Sequence, residues 1–259
     1  MNAIFISVRT GSTRLPNKAI LQLCGKPTIQ HLINNLKQSS KADEIVLCTT
    51  QLDSDDILCE IAERSGIQYF RGSSEDKLMR WLGACEKYDV DFFVNADGDD
   101  LFFDYGLADH LFNQYEESRS EFIDGHGLYV DVYGIEQNAL RTVCEMKATD
   151  ETEYIRPYFT ETGAFHTQRV LHVPSKYLKK DVRMTLDYAD DFKFFETVIA
   201  SLPEQDLTFD AILSFLAKNP AVKGINYYLE EQWRENQKGI NKLIVKDTTI
   251  KPPKYTGNE

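Results

Sequence analysis

Long hydrophobic runs, closely spaced cysteines and an excess of basic residues are all lacking from this 259-residue chain. No stretch of eighteen apolar residues is present, which argues against a membrane-spanning helix. The five cysteines are widely spaced and include no Cys-x-x-Cys pair, so they indicate reduced, buried thiols rather than a disulfide framework or a zinc site. With 41 acidic against 29 basic residues, the net charge of -12 makes binding to nucleic acid or to an anionic membrane unfavourable. Met1 and Asn2 lead directly into an apolar run, and we expect a cytoplasmic protein.

Internal repeats and low-complexity tracts are also missing, so the chain is interpreted as one domain over residues 1–240 with a polar, mobile tail at 241–259. Apolar runs at 3–6, 44–49, 68–72 and 91–96 have the length and composition of buried strands. Segments with helical spacing of apolar residues lie between them, including one at 27–36 and one that begins near Ser73 or Ser74. This alternation predicts an α/β fold with a mostly parallel central sheet and helices on both faces.

The middle of the chain, residues 118–180, is less regular, and we interpret it as the substrate-side wall or a dimerisation arm. Residues 182–186 then read as another strand, which ends in Asp187. Asp190 and Asp191 follow at the expected start of a helix, where acidic side chains complement the helix dipole.

A basic loop follows the first predicted strand, with the sequence SVRTGSTRLPNK at residues 7–18. Arg9, Arg14 and Lys18 can neutralise negative charge, Gly11 allows the backbone to approach a phosphate, and the Ser12 hydroxyl can donate a hydrogen bond. In a parallel sheet this loop opens at the binding crevice, so the pattern predicts a triphosphate site.

Acidic residues follow a later strand, where Asp97, Gly98, Asp99 and Asp100 are consecutive. Carboxylates together with phosphate oxygens are the ligands that Mg²⁺ prefers. We expect Asp99 and Asp187 to meet at one edge of the sheet and to hold Mg²⁺, whereas Asp100 and Asp104 are expected to cap helices or turns.

Other polar residues suit either a substrate contact or an exposed surface. Arg71 and Lys77 can contact phosphate or sugar. Glu151, Tyr154, Arg156 and His126 can contact an acidic or polyhydroxylated substrate. Local sequence alone does not separate these two roles.

Several motifs together resemble those of the cytidylyltransferases that make CMP-activated acidic sugars. They are RTGSTRLPNK at 9–18, GKP at 25–27, YFRG at 69–72, GDD at 98–100 and RMTLD at 183–187. The resemblance extends from residue 1 to about residue 226 and is nearest to the spore-coat polysaccharide (SpsF-type) branch, beside the CMP-acylneuraminate and CMP-Kdo synthetases.

This resemblance implies a Rossmann-like nucleotidyltransferase fold, a homodimer, and conversion of CTP and a sugar into CMP-sugar and pyrophosphate. By matching position, it implies that Arg9, Ser12, Arg14 and Lys18 bind the triphosphate and that Asp99 and Asp187 hold Mg²⁺. Arg14 and Lys18 would also stabilise the departing pyrophosphate.

Two other functions remain open from the sequence. Asp97-Gly98-Asp99 is an Asp-x-Asp motif, which glycosyltransferases use to hold the metal of a nucleotide-sugar. A noncatalytic nucleotide-binding domain would keep the same fold and bind CTP without turnover. Release of pyrophosphate distinguishes the transferase from both.

Overall fold

The computed structural model describes residues 1–178, 181–237 and 243–246. Its strands, in chain order, are β1 (Asn2–Ser7), β2 (Gln22–Leu23), β3 (Lys26–Pro27), β4 (Glu44–Thr50), β5 (Gln68–Gly72), β6 (Phe92–Asp97), β7 (Phe122–Asp124), β8 (Tyr133–Glu136) and β9 (Thr167–Arg169). Its α-helices are α1 (Thr28–Leu36), α2 (Asp56–Ser65), α3 (Lys77–Tyr88), α4 (Tyr105–Ser118), α5 (Gln137–Met146), α6 (Arg156–Thr160), α7 (Ala189–Ser201), α8 (Phe209–Lys218), α9 (Pro220–Lys223) and α10 (Leu229–Gln237).

Seven strands form one sheet in the order β5-β4-β1-β6-β8-β7-β9, and β2 and β3 form a separate two-stranded hairpin. β1 lies between β4 and β6 and is parallel to both, with Ser7 beside Cys48 on one side and Asp97 on the other. β8 is antiparallel to both β6 and β7, whereas β9 is parallel to β7. The strands β1, β4, β5, β6, β7 and β9 therefore all point their carboxyl ends to the same edge.

Helices cover both faces of this sheet, and β1 shows why its sequence is apolar throughout. Ile4 and Ile6 pack into a core with α1, α2, α4, α7 and α8. Ala3 and Phe5 point to the opposite face and pack with α3, α5 and α6. Successive side chains of a strand alternate between faces, so a strand covered on both sides needs a continuous apolar run. The predicted α/β class, with a mostly parallel sheet and helices on both faces, is confirmed.

Two local predictions were wrong. Residues 182–186 form no strand; the backbone N–H of Leu186 donates to the Asp99 carbonyl at 2.9 Å, and the Arg183 side chain donates to Asp191 at 2.9 Å. α3 begins at Lys77 rather than near Ser73 or Ser74, because Asp76 caps the helix by accepting from the Met79 N–H. Residues before Asp76 form a turn in which the Ser73 hydroxyl oxygen accepts two backbone N–H groups.

Residues 243–246 lie within the segment interpreted as a tail, and they pack against the domain. Val245 forms an isolated antiparallel β-bridge with Lys147, and the Ile244 carbonyl accepts the Ala148 N–H at 2.9 Å. The remainder of the proposed tail, 241–242 and 247–259, lies outside the described residues, and the domain boundary stays a prediction. In the described ranges, no helix has both the length and the apolar character needed to span a bilayer.

Candidate active site

The basic loop leaves β1 and is anchored by a buried carboxylate. The N–H of Val8 continues the parallel pairing by donating to the Cys48 carbonyl. Beyond it, the Thr10 N–H and hydroxyl both donate to Asp55 Oδ1, at 2.8 and 2.6 Å. Asp55 Oδ2 accepts from Thr49 and Thr50 at the end of β4. One carboxylate therefore fixes the basic loop to the neighbouring strand end.

Asp55 is almost fully buried and was not singled out from the sequence. Burial alone raises its pKa, but the hydrogen bonds from Thr10, Thr50 and Thr49 outweigh that effect and lower the pKa below its ordinary value. The anchor is thus an ionised acceptor surrounded by donors.

Lys18 joins the two acidic residues expected to hold a metal. Its Nζ lies 2.7 Å from Asp99 Oδ2 and 2.9 Å from Asp187 Oδ1. Arg14 reaches the same Asp187 oxygen at 2.8 Å, and its guanidinium carbon lies 5.8 Å from the centre of the Tyr188 ring. The structure therefore brings Arg14, Lys18, Asp99 and Asp187 together in one cluster, which we call the Lys18 group, although Asp187 reaches it from a segment that forms no strand.

The charges in this group stabilise one another. Burial lowers the pKa of Lys18, but the carboxylates of Asp99 and Asp187 more than compensate, so its pKa is raised and the ammonium stays protonated. Burial raises the pKa of Asp99, and the Lys18 cation more than reverses this shift. Both groups are ionised at neutral pH as a result.

The pKa values of Asp97 and Asp100 are raised, whereas that of Asp99 is lowered. Asp97 binds Lys77 at 2.7 Å, yet burial and the nearby Asp99 charge raise its pKa. Burial, followed by the charges of Asp99 and Asp97, raises the pKa of Asp100 well above its ordinary value. Several acids in one crevice thus create a strong preference for additional positive charge.

Gly98 sets how closely the basic and acidic loops approach. Its N–H donates to the Ser7 carbonyl at 2.8 Å. A Cβ atom at this position would lie 2.7 Å from Val8 Cβ and 3.1 Å from Ser7 O. Only glycine fits there without displacement of the β1 end.

Three other residues of the basic loop were predicted to bind phosphate, and their described contacts lie outside the Lys18 group. They are Arg9, Gly11 and Ser12. Arg9 binds the Ser74 carbonyl at 3.0 Å and Glu153 at 2.8 Å. Gly11 is exposed, with open space where a side chain would project. The Ser12 N–H donates to Thr10 O, and its hydroxyl donates to Leu15 O. Their contact with a triphosphate stays a prediction.

Arg71 serves a different part of the molecule in this structure. It donates to the carbonyls of Thr50 and Leu52 at 3.0 and 2.9 Å and pairs with Asp56 at 2.6 Å. These contacts hold the connection between β4 and α2. A nucleotide contact for Arg71 likewise stays a prediction.

Asp104 fulfils its expected capping role, because its carboxylate accepts the Gly106 N–H at the start of α4. Asp191 lies in the first turn of α7, as expected, and accepts the backbone N–H groups of Asp187 and Tyr188, both at 2.9 Å. These two acids therefore each have a structural role at the start of a helix.

A second polar cluster lies at the same sheet edge, beyond β8. Asp124 ends β7 and is buried, and its Oδ2 accepts from Arg156 and Arg169, each at 3.0 Å. The second terminal nitrogen of Arg169 reaches the His126 carbonyl at 2.7 Å. His126 Nδ1 lies 3.0 Å from Asp131 Oδ1. Of this cluster, Arg156 and His126 were predicted as candidates, whereas Asp124, Arg169 and Asp131 were not.

Asp99 and Asp187 fit a divalent cation. Their oxygens already converge on one ammonium group, and carboxylate oxygen is the donor type that Mg²⁺ prefers. Within residues 1–178, 181–237 and 243–246, no group of three or more His, Cys, Asp or Glu side chains is arranged to hold a metal ion. Two protein carboxylates match the usual Mg²⁺ site in which substrate phosphates supply further ligands.

The mostly parallel sheet, with helices on both faces, has the α/β nucleotidyltransferase fold. A cytidylyltransferase from Leptospira borgpetersenii shares it with a TM-score of 0.76 and 24% identity, over 86% of this chain and 96% of that one.

Sequence comparison identifies the family to which the chain belongs within this fold. The cytidylyltransferase family model matches residues 3–172. The chain is 30% identical over 227 residues to an uncharacterized protein of Methanocaldococcus jannaschii, covering 85% of this chain and 92% of that protein. It is 24% identical over 224 residues to the spore coat polysaccharide biosynthesis protein SpsF of Bacillus subtilis, covering 83% and 93%. The chain belongs to the cytidylyltransferase family.

Proposed function

We propose that this protein is an enzyme that transfers CMP from CTP to an acidic sugar or related polyol, with release of pyrophosphate. The observation that supports this most directly is the position of Lys18 between Asp99 and Asp187, beside Arg14. A triphosphate needs cations, and the metal that it carries needs carboxylates. Cations and carboxylates are both present at one edge of the sheet. The similarity to SpsF supports a role in polysaccharide biosynthesis.

The reaction needs no covalent protein intermediate. A sugar hydroxyl oxygen attacks the α-phosphorus in line, the bond from that phosphorus to the bridging oxygen breaks, and the hydroxyl proton passes to solvent. Mg²⁺ held by Asp99 and Asp187 would neutralise charge on the phosphate oxygens. Arg14 and Lys18 stabilise the negative charge of the departing pyrophosphate, so the protein acts by positioning and electrostatics.

We assign the acceptor to the cluster around Asp124. It lies at the same sheet edge as Asp97, because β7 and β9 are parallel to β6. Arg156 and Arg169 both bind the buried Asp124, and the half-exposed guanidinium of Arg169 can donate further hydrogen bonds to a carboxylate or phosphate of the acceptor. This gives the predicted substrate-side region, 118–180, a role in acceptor binding; the homodimer and the cytoplasmic location stay predictions.

The glycosyltransferase alternative is disfavoured by the two aspartates of the Asp-x-Asp motif. Asp97 binds Lys77 at 2.7 Å, whereas Asp99 binds Lys18 at 2.7 Å. Carboxylates that hold one metal must converge on it, and these two contact different cations.

Pyrophosphate release tests the proposal. The purified protein is incubated with Mg²⁺ and each of the four nucleoside triphosphates, against a panel of acidic sugars, neutral sugars and polyol phosphates. We expect release that requires both CTP and one acceptor. Transfer from a nucleotide-sugar without pyrophosphate release would favour a glycosyltransferase, and CTP binding without turnover across the panel would favour a noncatalytic domain.

A further inference from the structure

Arg183 is among the largest fully buried side chains of the described residues, and it contacts three carboxylates. Its Nε lies 2.9 Å from Asp191 Oδ1, and its two terminal nitrogens lie 3.1 Å from Asp187 Oδ2 and 3.2 Å from Glu230 Oε2. A buried guanidinium needs such partners, because an unpaired buried charge is strongly destabilising.

The two oxygens of Asp187 have separate partners. Oδ2 faces Arg183, whereas Oδ1 faces Lys18 and Arg14. The backbone N–H of Asp187 is fixed as well, by Asp191 Oδ2 at 2.9 Å. Rotation of the carboxylate would break the Arg183 bond, so the oxygen directed at the Lys18 group has a defined position.

Arg183 is also contacted by residues nearer the C-terminus, in α10 and just before it. Glu230 and Trp233 belong to α10, and the Trp233 ring centre lies 5.7 Å from the guanidinium carbon. The Asn226 side-chain amide donates to the Arg183 carbonyl at 3.1 Å and to Asp191 Oδ1 at 2.9 Å. Arg183 thus connects α10 to Asp187.

We propose that Arg183 is a positioning residue, which orients Asp187 toward the metal and triphosphate and makes that orientation depend on the docking of α10. This rests on the proposed function only in assigning a metal to Asp187. Outer hydrogen-bond partners of metal-ligating carboxylates typically affect metal affinity or activity 10- to 100-fold.

The test compares Arg183→Lys with wild type. Lysine keeps the charge but lacks the planar fork that reaches three carboxylates at once. Mn²⁺ binding is titrated by the loss of the free Mn²⁺ EPR signal in the presence of a CTP analogue with a methylene group between the α- and β-phosphorus, and the Mn²⁺ bound by the same analogue without protein is subtracted. We expect about 10- to 100-fold weaker Mn²⁺ binding, and a similar rise in the Mg²⁺ concentration needed for half-maximal turnover.

Arg234→Lys is the matched control. Arg234 is an exposed arginine of α10 that also binds Glu230, at 3.1 Å. It makes no contribution to the Lys18 group among the described contacts, so we expect Mn²⁺ affinity within about twofold of wild type. Circular dichroism establishes that each variant is folded.

Glu230→Gln tests the link to α10 and replaces Arg183→Lys if that variant does not fold. We expect a smaller loss of Mn²⁺ affinity, about two- to fivefold, because the amide keeps the shape of the side chain and removes only the negative charge that faces Arg183. Wild-type Mn²⁺ affinity in both folded variants would overturn the positioning role while leaving the proposed function intact. Failure of the wild-type protein itself to bind Mn²⁺ with the CTP analogue would contradict the metal assignment and this inference together.

Discussion

Asp55 accepts both the backbone N–H and the hydroxyl of Thr10, at 2.8 and 2.6 Å, although the two residues are 45 positions apart. Thr10 lies inside the basic loop, between Arg9 and the residues that lead to Lys18. The conformation of that loop is therefore determined from outside it, by an acid on the connection between β4 and α2. The same acid binds Thr49 and Thr50, so it also fixes the end of β4.

Replacing Asp55 by Asn should destabilise the protein and weaken CTP binding. The amide keeps one acceptor oxygen but turns an N–H₂ group toward hydroxyl and N–H donors, and a hydrogen bond to a charged group is worth about 1.5 to 3 kcal/mol. We expect the free energy of unfolding in urea to fall by about 2 to 3 kcal/mol, and KM for CTP to rise. The exposed neighbour Asp53 supplies the control, because Asp53→Asn should change stability by at most about 0.5 kcal/mol.

The difference in unfolding free energy between wild type and Asp55→Asn should depend on pH in a direction that the pKa of Asp55 fixes. The pKa of Asp55 is lowered in the folded protein, so its ionised form stabilises the fold at pH values above its ordinary pKa of 3.8. This contribution is lost as the pH falls through the lower folded pKa. The gap in unfolding free energy between wild type and Asp55→Asn should be constant from about pH 5 to 8 and should shrink in stronger acid. A gap independent of pH down to pH 2 would contradict the ionised anchor.

Asp99→Asn and Asp187→Asn should each abolish most turnover. Each change removes a carboxylate charge beside Lys18, and loss of one preorganised electrostatic group commonly costs about 10²- to 10³-fold in kcat. Asp99→Asn should keep a near-normal thermal midpoint, because Lys18 retains Asp187 as a partner. Steady-state pyrophosphate release measures kcat, with the exposed Asp206→Asn as control. Near-normal activity in both variants would refute the assigned roles.

Asp100→Asn should stabilise the protein at neutral pH. Burial and the charges of Asp99 and Asp97 raise the pKa of Asp100, so its ionised form opposes folding above the ordinary pKa of 3.8. Removing the charge should increase the free energy of unfolding by at least about 1 kcal/mol at pH 7 without divalent metal. The increase should vanish as the pH falls below 3.8, where the carboxyl is protonated in both states. Urea unfolding at pH 7 and pH 3 gives both values, and equal or lower stability of the variant at pH 7 would contradict this account.

Arg169→Met should impair acceptor binding selectively. Arg156 still pairs with the buried Asp124 in this variant, so the fold should be retained. We expect KM for the acceptor to rise about tenfold, which corresponds to the loss of roughly one charge-assisted hydrogen bond. KM for CTP should stay within about twofold. Arg141→Met is the matched control, because Arg141 forms a comparable exposed pair with Glu86 away from this cluster. An equal rise in both KM values would instead indicate a general structural defect.

The sequence predicted those parts of the site that depend on topology. Lys18 and Asp99 both follow parallel strands, and parallel strands deliver their carboxyl ends to one edge. Their meeting at 2.7 Å follows from that rule and from the opposite charges. The central strands were also predicted well, because a strand buried on both faces must be apolar throughout.

Other groups were missed because their partners are distant in the chain. Asp55 lies between two other acids, Asp53 and Asp56, and no local pattern marks the one that turns inward. Arg183 lies between apolar residues and was assigned to the predicted strand at 182–186. An arginine within such an apolar segment itself indicates buried partners of opposite charge. Asp124, Arg156 and Arg169 come from β7, α6 and β9, so their meeting requires the strand order, which includes the antiparallel β8.

Gly98 has a consequence for how this family member can vary. The cations and the carboxylates belong to separate loops, and the width available between those loops at Gly98 is less than that of a methyl group. A side chain at position 98 would push the two loops apart and would thereby separate Lys18 from Asp99, although neither of these residues had changed.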